Sequence, residues 1–151
     1  MAIFVSDADT PPRTADGRNW WNTAYGRWRL KAESEAMQRF PRFKLRLRDG
    51  QLSWRGLLTS TLERNRYLVR VVYPSTFPDD APTVVIEAPE LGDGVPHLLS
   101  GQRPCLYLPS GPQRGYDPAR TTAATLVAWT ALWIHAFETW VATGSWPGAE
   151  D

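Results

Sequence analysis

Residues 94–107 read GVPHLLSGQRPCLY, and the rest of the chain is arranged around this stretch. It holds the single cysteine of the protein, Cys105, and one of the two histidines, His97. Because two glycines and two prolines interrupt helix and strand patterns here, the stretch is predicted to be an ordered loop between regular elements. Binding and catalytic groups concentrate on such loops. A cysteine with a histidine nearby is a candidate nucleophile, although a lone cysteine is more often a small buried apolar residue.

Four short strands are predicted before this loop. Residues 43–48 alternate between apolar and basic side chains, and the Asp49-Gly50 pair that follows is typical of a tight hairpin turn. Residues 52–58 and 67–73 provide the second and third strands, and residues 83–87 provide the fourth after a proline-rich connection. Strands that follow one another through short turns predict an antiparallel meander.

One helix is predicted before the meander in the chain and another after the loop, which gives an α+β fold. From Trp20 to Phe40, aromatic and apolar residues recur every three or four positions, which predicts an amphipathic helix with Asn19 as its N-cap. A long second helix is predicted to begin after Thr121 or Thr122 and to end before Gly144. Its predicted apolar face comprises Leu126, Trp129, Trp133, Phe137, Trp140 and Val141. The tryptophans expected to be buried are Trp21, Trp28, Trp54, Trp129 and Trp133.

Length and composition set broad limits on the protein. A chain of 151 residues predicts one domain, here residues 19–151 after an irregular N-terminal arm of residues 1–18. One cysteine cannot form an internal disulfide, and two distant histidines do not make a metal-ligand set, so no metal or cofactor is expected. The sequence shows neither a signal-peptide pattern nor an apolar run long enough to span a membrane, which predicts a soluble, cytoplasmic protein.

The basic residues are unevenly distributed. Residues 39–70 contain nine Lys or Arg against Asp49 and Glu63, whereas residues 71–151 contain three basic and nine acidic residues. Such a block can bind an acidic partner, or it can be the solvated face of a sheet. No motif of a known nucleic-acid-binding module is present, so nucleic acid is not an expected partner.

In its order of elements and motifs, the chain resembles the ubiquitin-conjugating enzyme (UBC) fold over residues 19–143. The residues that carry the resemblance are Tyr73-Pro74, Phe77-Pro78 and Pro82 after the third strand, His97 and Pro104-Cys105-Leu106 in the loop, and Tyr116-Asp117-Pro118 before the last helix. It is most similar to bacterial members, such as the conjugating enzymes of CBASS antiphage operons. They share the Cys-Leu-Tyr run, a Trp-rich helix after it, and an ending like TGSWPG at residues 143–148.

The resemblance implies roles for four residues. Cys105 would be the catalytic nucleophile. The family's His-Pro-Asn tripeptide is absent, and His97 lies eight residues before Cys105, where the family has its asparagine. His97 therefore either replaces that asparagine as a donor to the reaction oxyanion or has a structural role. Tyr107 and Asp117 are weaker candidates for positioning the acceptor amine.

The implied activity is to carry a protein C-terminus as a thioester on Cys105 and to transfer it to an amine. The implied partners are an activating enzyme on a separate chain, an amine acceptor, and a conjugated protein with an activatable C-terminus. That protein would be a ubiquitin-like protein or a cyclic-oligonucleotide synthase. One alternative is a non-catalytic module of the same fold that binds ubiquitin-like proteins. A weaker alternative is a cysteine hydrolase.

Overall fold

The computed structural model describes residues 19–106 and 115–148. Its helices are α1 (Ala24–Ala36) and α2 (Ala123–Thr143), and 3-10 turns at Trp20–Asn22 and Met37–Arg39 flank α1. Its strands are β1 (Lys44–Arg48), β2 (Gln51–Thr59), β3 (Arg66–Val72), β4 (Thr83–Ala88), β5 (Leu98–Leu99) and β6 (Arg103–Pro104). The predicted α+β arrangement of helix, meander, loop and long helix is confirmed. The arm predicted at residues 1–18 lies outside the described residues.

The first four strands form one antiparallel sheet in the order β1-β2-β3-β4, as predicted. The β1–β2 turn contains Asp49 and Gly50, both with positive φ (52° and 75°), the conformation that matches the twist of a two-residue hairpin. Along β3, alternate residues such as Val69 and Val71 are fully buried, while Arg70 between them faces outward. The sheet therefore has an apolar inner face and a largely polar outer face.

The apolar face predicted for the first helix is only partly correct, because Trp21 is buried and Ala36 and Phe40 pack against the core, whereas the two aromatic residues between them are exposed. Trp28 is 63% exposed and Tyr25 is 52% exposed, and their rings contact each other with centroids 5.7 Å apart. The residues of α1 that are buried instead are Gly26, Arg29, Leu30, Glu33 and Ser34. Because two of these residues are charged, apolar periodicity does not identify the buried side of the helix. Thr23, rather than Asn19, is the N-cap of α1, and its hydroxyl accepts a hydrogen bond from the Gly26 N–H.

Glu33 connects α1 to the sheet and to α2. Its Oε1 accepts hydrogen bonds from the Tyr73 hydroxyl at 2.7 Å and from the Ala123 N–H, in the first turn of α2, at 2.8 Å. Its Oε2 forms an ion pair with Arg29 at 3.2 Å, and both side chains are almost completely buried. Burial raises the pKa of Glu33, although these hydrogen bonds and the Arg29 charge act in the opposite direction. The two helices are thus joined by a buried polar network.

The second helix begins and ends where the sequence predicts. Thr122 is its N-cap and forms a reciprocal capping pair with Thr125, and Gly144 after its last turn has a left-handed φ of 82°. Of the five tryptophans predicted to be buried, Trp21, Trp54 and Trp133 are buried, whereas Trp129 is only partly buried. Val141, which the pattern assigns to the apolar face, is 63% exposed.

Candidate active site

Cys105 directly follows a small hairpin that the sequence did not predict. The predicted loop contains strands β5 and β6, which pair antiparallel with Leu98 opposite Pro104 and Leu99 opposite Arg103. The three residues between the strands include Gly101 and Gln102, both in left-handed conformations (φ 78° and 59°), as expected for a short hairpin turn. The stretch is therefore an ordered element with its own backbone pairing, and Cys105 lies at its end.

The hairpin is attached to α2 through the carbonyl oxygen of His97. This oxygen accepts a hydrogen bond from the Cys105 N–H at 2.9 Å and another from the indole Nε1–H of Trp133 at 3.0 Å. Continuing the β5–β6 register by one residue places Cys105 opposite His97. One carbonyl thus uses both of its lone pairs to fix the backbone of Cys105 relative to a buried side chain of the long helix.

The hairpin is attached to the sheet through Gln102. The side-chain Oε1 accepts a hydrogen bond from the Leu91 N–H at 2.7 Å, and Nε2 donates to the carbonyl oxygens of Ile86 at 2.8 Å and Pro89 at 3.0 Å. The main-chain carbonyl of Gln102 accepts from the Ile86 N–H at 2.9 Å. The turn of the hairpin is therefore held at the end of β4, while its open end is held by α2.

The imidazole ring of His97 packs against Trp146. The two ring centroids are 5.0 Å apart, and Trp146 also contacts Trp133 at 5.4 Å. His97 has a left-handed φ of 58°, which is uncommon for a residue other than glycine. Within residues 19–106 and 115–148, no hydrogen bond connects the imidazole to Cys105. The group of His97 that contacts Cys105 is its main-chain carbonyl, so the geometry is compatible with the structural role left open by the sequence.

Cys105 is a free, partly exposed thiol between two buried residues, Pro104 and Leu106. The burial of both neighbours fixes the main chain on either side of Cys105, while the residue itself keeps part of its surface exposed. Accessibility is required for a nucleophilic cysteine, because the thiolate must reach the carbonyl carbon that it attacks. The alternative from the sequence, a fully buried apolar cysteine, is not what the structure shows.

The two candidates for positioning an amine differ in what the structure describes. Tyr107 lies outside the described residues. Asp117 is exposed, and its Oδ1 accepts a hydrogen bond from the Ala119 N–H at 2.9 Å. Its own N–H donates to the Thr121 hydroxyl at 2.9 Å. Asp117 thus stabilises the turn before α2, and its assignment to an acceptor amine stays a prediction.

Several of the basic residues of the segment 39–70 lie on the outer face of the sheet. The register places Lys44 opposite Arg55 and Arg55 opposite Arg70, so three cations lie side by side across β1, β2 and β3. Glu87 of β4 pairs with Arg55 at 2.7 Å and with Arg70 at 2.6 Å. This face borders an open concave region of about 550 Å³.

Across the described ranges, no group of three or more His, Cys, Asp or Glu side chains is placed to hold a metal ion. Neither α1 nor α2, the helices of the described chain, is long and apolar enough to cross a membrane.

Sequence reasoning missed the residues that hold Cys105 in place. Gln102 could have been noticed, because Ser100-Gly101-Gln102 between two short extended runs is a signal for a hairpin with a three-residue loop. Trp133 was predicted only as a core residue, and nothing in its spacing indicates that its indole N–H reaches the carbonyl of His97. Contacts of this kind join residues 36 positions apart in the chain.

Comparisons with known proteins identify the family and the fold of the chain. The family model E2-CBASS, described as Type II CBASS E2 protein, matches residues 32–151. Comparison with curated proteins found no match. Among solved structures, the chain is similar to human ubiquitin-conjugating enzyme E2 G1, with a TM-score of 0.54 and 17% identity over 73% of this chain and 94% of that one. At this identity the structural likeness shows a shared fold. Because the family model covers most of the chain, the protein belongs to the Type II CBASS E2 family and has an E2-like conjugating role.

Proposed function

We propose that Cys105 carries the C-terminus of a partner protein as a thioester and transfers it to an amine. The observation that carries the proposal is the placement of Cys105. It is the only thiol of the chain, it is partly exposed, and its backbone is fixed by the His97 carbonyl. Membership of an E2 family supports a conjugating role, and the position of Cys105 supports this residue as the nucleophile.

The proposed reaction has two acyl-transfer steps. First, the Cys105 thiolate attacks the carbonyl carbon of a C-terminus held as a thioester on the activating enzyme. A C–S bond to Cys105 forms, and the thiolate of the activating enzyme leaves. Second, an amine nitrogen attacks the same carbon, the C–N bond forms, Cys105 leaves as thiolate, and the proton lost by the amine passes to solvent or to a base. Each attack builds an oxyanion, which needs a donor about 3 Å away.

The carried protein is a cyclic-oligonucleotide synthase or a ubiquitin-like protein, and an antiphage CBASS operon is the setting that the family suggests. The activating enzyme is a separate chain. Genes adjacent to the one for this protein distinguish these cases, because the conjugated protein and the activating enzyme are expected to be encoded with it.

The test is formation of a thiol-sensitive adduct. The protein is incubated with its activating enzyme, ATP and either candidate partner, and the products are separated with and without reductant. A reductant-sensitive adduct is expected for the wild type and not for Cys105→Ala. Cys105→Ser is expected to retain an adduct that resists reductant, because an oxygen ester is not cleaved by thiols. If wild type and Cys105→Ala give the same products although the activating enzyme is competent, the enzymatic function is wrong. The alternative function, a non-catalytic module that binds ubiquitin-like proteins, then takes its place.

For His97, we propose the role of oxyanion donor, and the competing role is packing against Trp146. In His97→Ala, loss of a catalytic hydrogen bond is expected to slow amine transfer by about 10²-fold with little change in melting temperature. A lower melting temperature with normal transfer by the folded fraction would assign His97 to packing. Trp146→Phe is the matched variant, since it alters the ring contact and keeps the imidazole.

A further inference from the structure

We propose that Gln102 is the positioning residue for Cys105, because its side-chain amide fixes the hairpin that carries the thiol against the end of β4. The inference rests on the proposed function of Cys105 for its effect on catalysis. Its effect on the thiol itself can be measured without any partner protein.

The amide of Gln102 uses both of its donor hydrogens and its acceptor oxygen. Nε2 donates to two carbonyl oxygens, those of Ile86 and Pro89, and Oε1 accepts from the N–H of Leu91. These three groups belong to the end of β4 and to the segment after it. A glutamate carboxylate cannot donate hydrogen bonds, and an asparagine side chain is one methylene shorter. Neither residue therefore reproduces the three hydrogen bonds that the Gln102 amide forms.

The conformation of Gln102 also indicates that its position is determined by its contacts. Its φ of 59° is in the left-handed region, which is energetically unfavourable for a residue that carries a side chain. The neighbouring Gly101 occupies the same region without that cost. Such conformations persist where surrounding interactions over-determine them. The side-chain bonds of Gln102 provide those interactions.

Gln102 acts on Cys105 through the hairpin. It lies three residues before the cysteine, and the strand between them pairs with β5. The hairpin is attached at the turn through the side chain and the main-chain carbonyl of Gln102, and at the open end through the His97 carbonyl, which accepts from Trp133. Without the amide, the turn keeps only the hydrogen bond from the Ile86 N–H to the main-chain carbonyl of Gln102, while the open end stays attached as before. The turn is then held less firmly, and the position of the sulfur is less well fixed.

The expected effect on the thiol is larger than the effect on stability. Gln102 is partly exposed and Pro89 is exposed, so water can replace the lost hydrogen bonds. By contrast, misplacement of a reacting group by about 1 Å can cost about 10²-fold in rate. A residue that served stability alone would show the reverse order of effects.

The test compares Gln102→Met with Gln38→Met. Methionine is neutral and close to glutamine in size, and Gln38 is an exposed glutamine in the turn after α1. Native Cys105 is alkylated with iodoacetamide, at a temperature where thermal unfolding shows equal folded fractions. We expect alkylation of Gln102→Met to be at least about threefold faster than wild type and Gln38→Met to be unchanged, because the less firmly held hairpin opens more often and exposes the sulfur. The same alkylation rate in all three proteins would overturn the proposal.

Single-turnover transfer from the preformed thioester is the second measurement. A decrease of about 10- to 100-fold is expected for Gln102→Met. If alkylation is faster and no thioester forms even on wild type, the positioning role stands and the proposed function fails. Normal transfer by the folded fraction of Gln102→Met would overturn the catalytic part of the inference. If Gln102→Met does not fold, the alkylation rates of Gln102→Asn and Gln38→Asn are compared instead. Faster alkylation of Gln102→Asn alone supports the proposal, and equal rates overturn it.

Discussion

Two ion clusters of this protein contain the same side-chain types in opposite surroundings. Arg29 and Glu33 are buried between α1 and α2, with side-chain exposures of 4% and 0%. On the outer face of the sheet, Glu87 bridges Arg55 and Arg70, with exposures of 25%, 39% and 32%. The buried pair is tied to backbone groups of the segment before α2, whereas the outer cluster is tied mainly to itself. The buried charged residues therefore hold α1 and α2 together, whereas the exposed charged residues remain accessible to water or to a partner.

The buried cluster depends on more than its ion pair. Arg29 donates to the carbonyl oxygens of Pro118 and Thr121, and Glu33 accepts from the N–H of Ala123. These bonds hold residues 118–123, the approach to α2. A substitution that removed the charges would leave these backbone groups buried without partners, which is costly.

The largest expected effect is therefore that of Glu33→Ala. It leaves the Arg29 charge without its carboxylate partner, and it leaves the Tyr73 hydroxyl and the Ala123 N–H without the acceptor that Glu33 provides. Breaking a buried pair from one side typically costs roughly 3–5 kcal/mol. Denaturant unfolding is expected to show a loss of this size, while Glu35→Ala on the exposed side of the same helix should change the free energy of unfolding by less than about 0.5 kcal/mol. A loss below about 1 kcal/mol for Glu33→Ala would mean that the network does not hold the two helices together.

A double substitution sharpens the same comparison. In some proteins, replacing a whole buried ion pair by apolar residues is neutral or stabilising. Here Arg29→Met with Glu33→Leu is expected to remain destabilised relative to wild type, because the backbone groups at Thr121 and Ala123 lose their partners. Recovery of wild-type stability by the double variant would contradict this explanation.

The second-largest effect is expected for Glu138→Gln in α2, whose effect on stability should depend on pH. Burial acts to raise the pKa of Glu138, but hydrogen bonds from Tyr67, Ser60 and Asn65 outweigh it, and the net pKa is below the ordinary 4.5. A carboxyl group with a lowered folded pKa adds stability above its unfolded pKa, and this contribution is lost as pH falls through the folded pKa. Wild type should thus exceed Glu138→Gln in stability at neutral pH.

The difference should shrink as the pH falls below about 4.5, where the unfolded carboxyl protonates first. Thermal unfolding from pH 7 to pH 3 measures this, with Glu35→Gln as the exposed control on α1. A difference that is constant over this range would exclude titration of Glu138 as its source.

The smallest effect is expected for Glu87→Gln on the outer face. Exposed ion pairs contribute about 0–1 kcal/mol, and salt screens them. The free energy of unfolding should fall by no more than this, and the difference should decrease further in 0.5 M NaCl. A loss of unfolding free energy comparable to that of Glu33→Ala would show that the outer cluster also stabilises the fold.

The contrast between the clusters also explains what sequence reasoning predicted correctly and where it failed. The meander could be predicted because alternation and the Asp49-Gly50 turn are local signals. The second helix could be predicted because Thr122 and Gly144 mark its ends. The face of α1 could not, since periodicity treats Arg29 and Glu33 as surface residues and Trp28 as a core residue. Arg29 and Glu33 can be buried only because Tyr73 and the backbone of the segment before α2 provide hydrogen-bond partners for their charged groups.

The sequence alone determined the order of elements, the single thiol and the loop in which it lies, because these depend on turn residues, local spacing and composition. Only the tertiary structure decided how the thiol is held. The carbonyl of His97 is bonded by Trp133, and the amide of Gln102 is bonded to Ile86 and Leu91. Hydrogen bonds between distant segments follow from the packing of whole elements and leave no periodic trace in the chain.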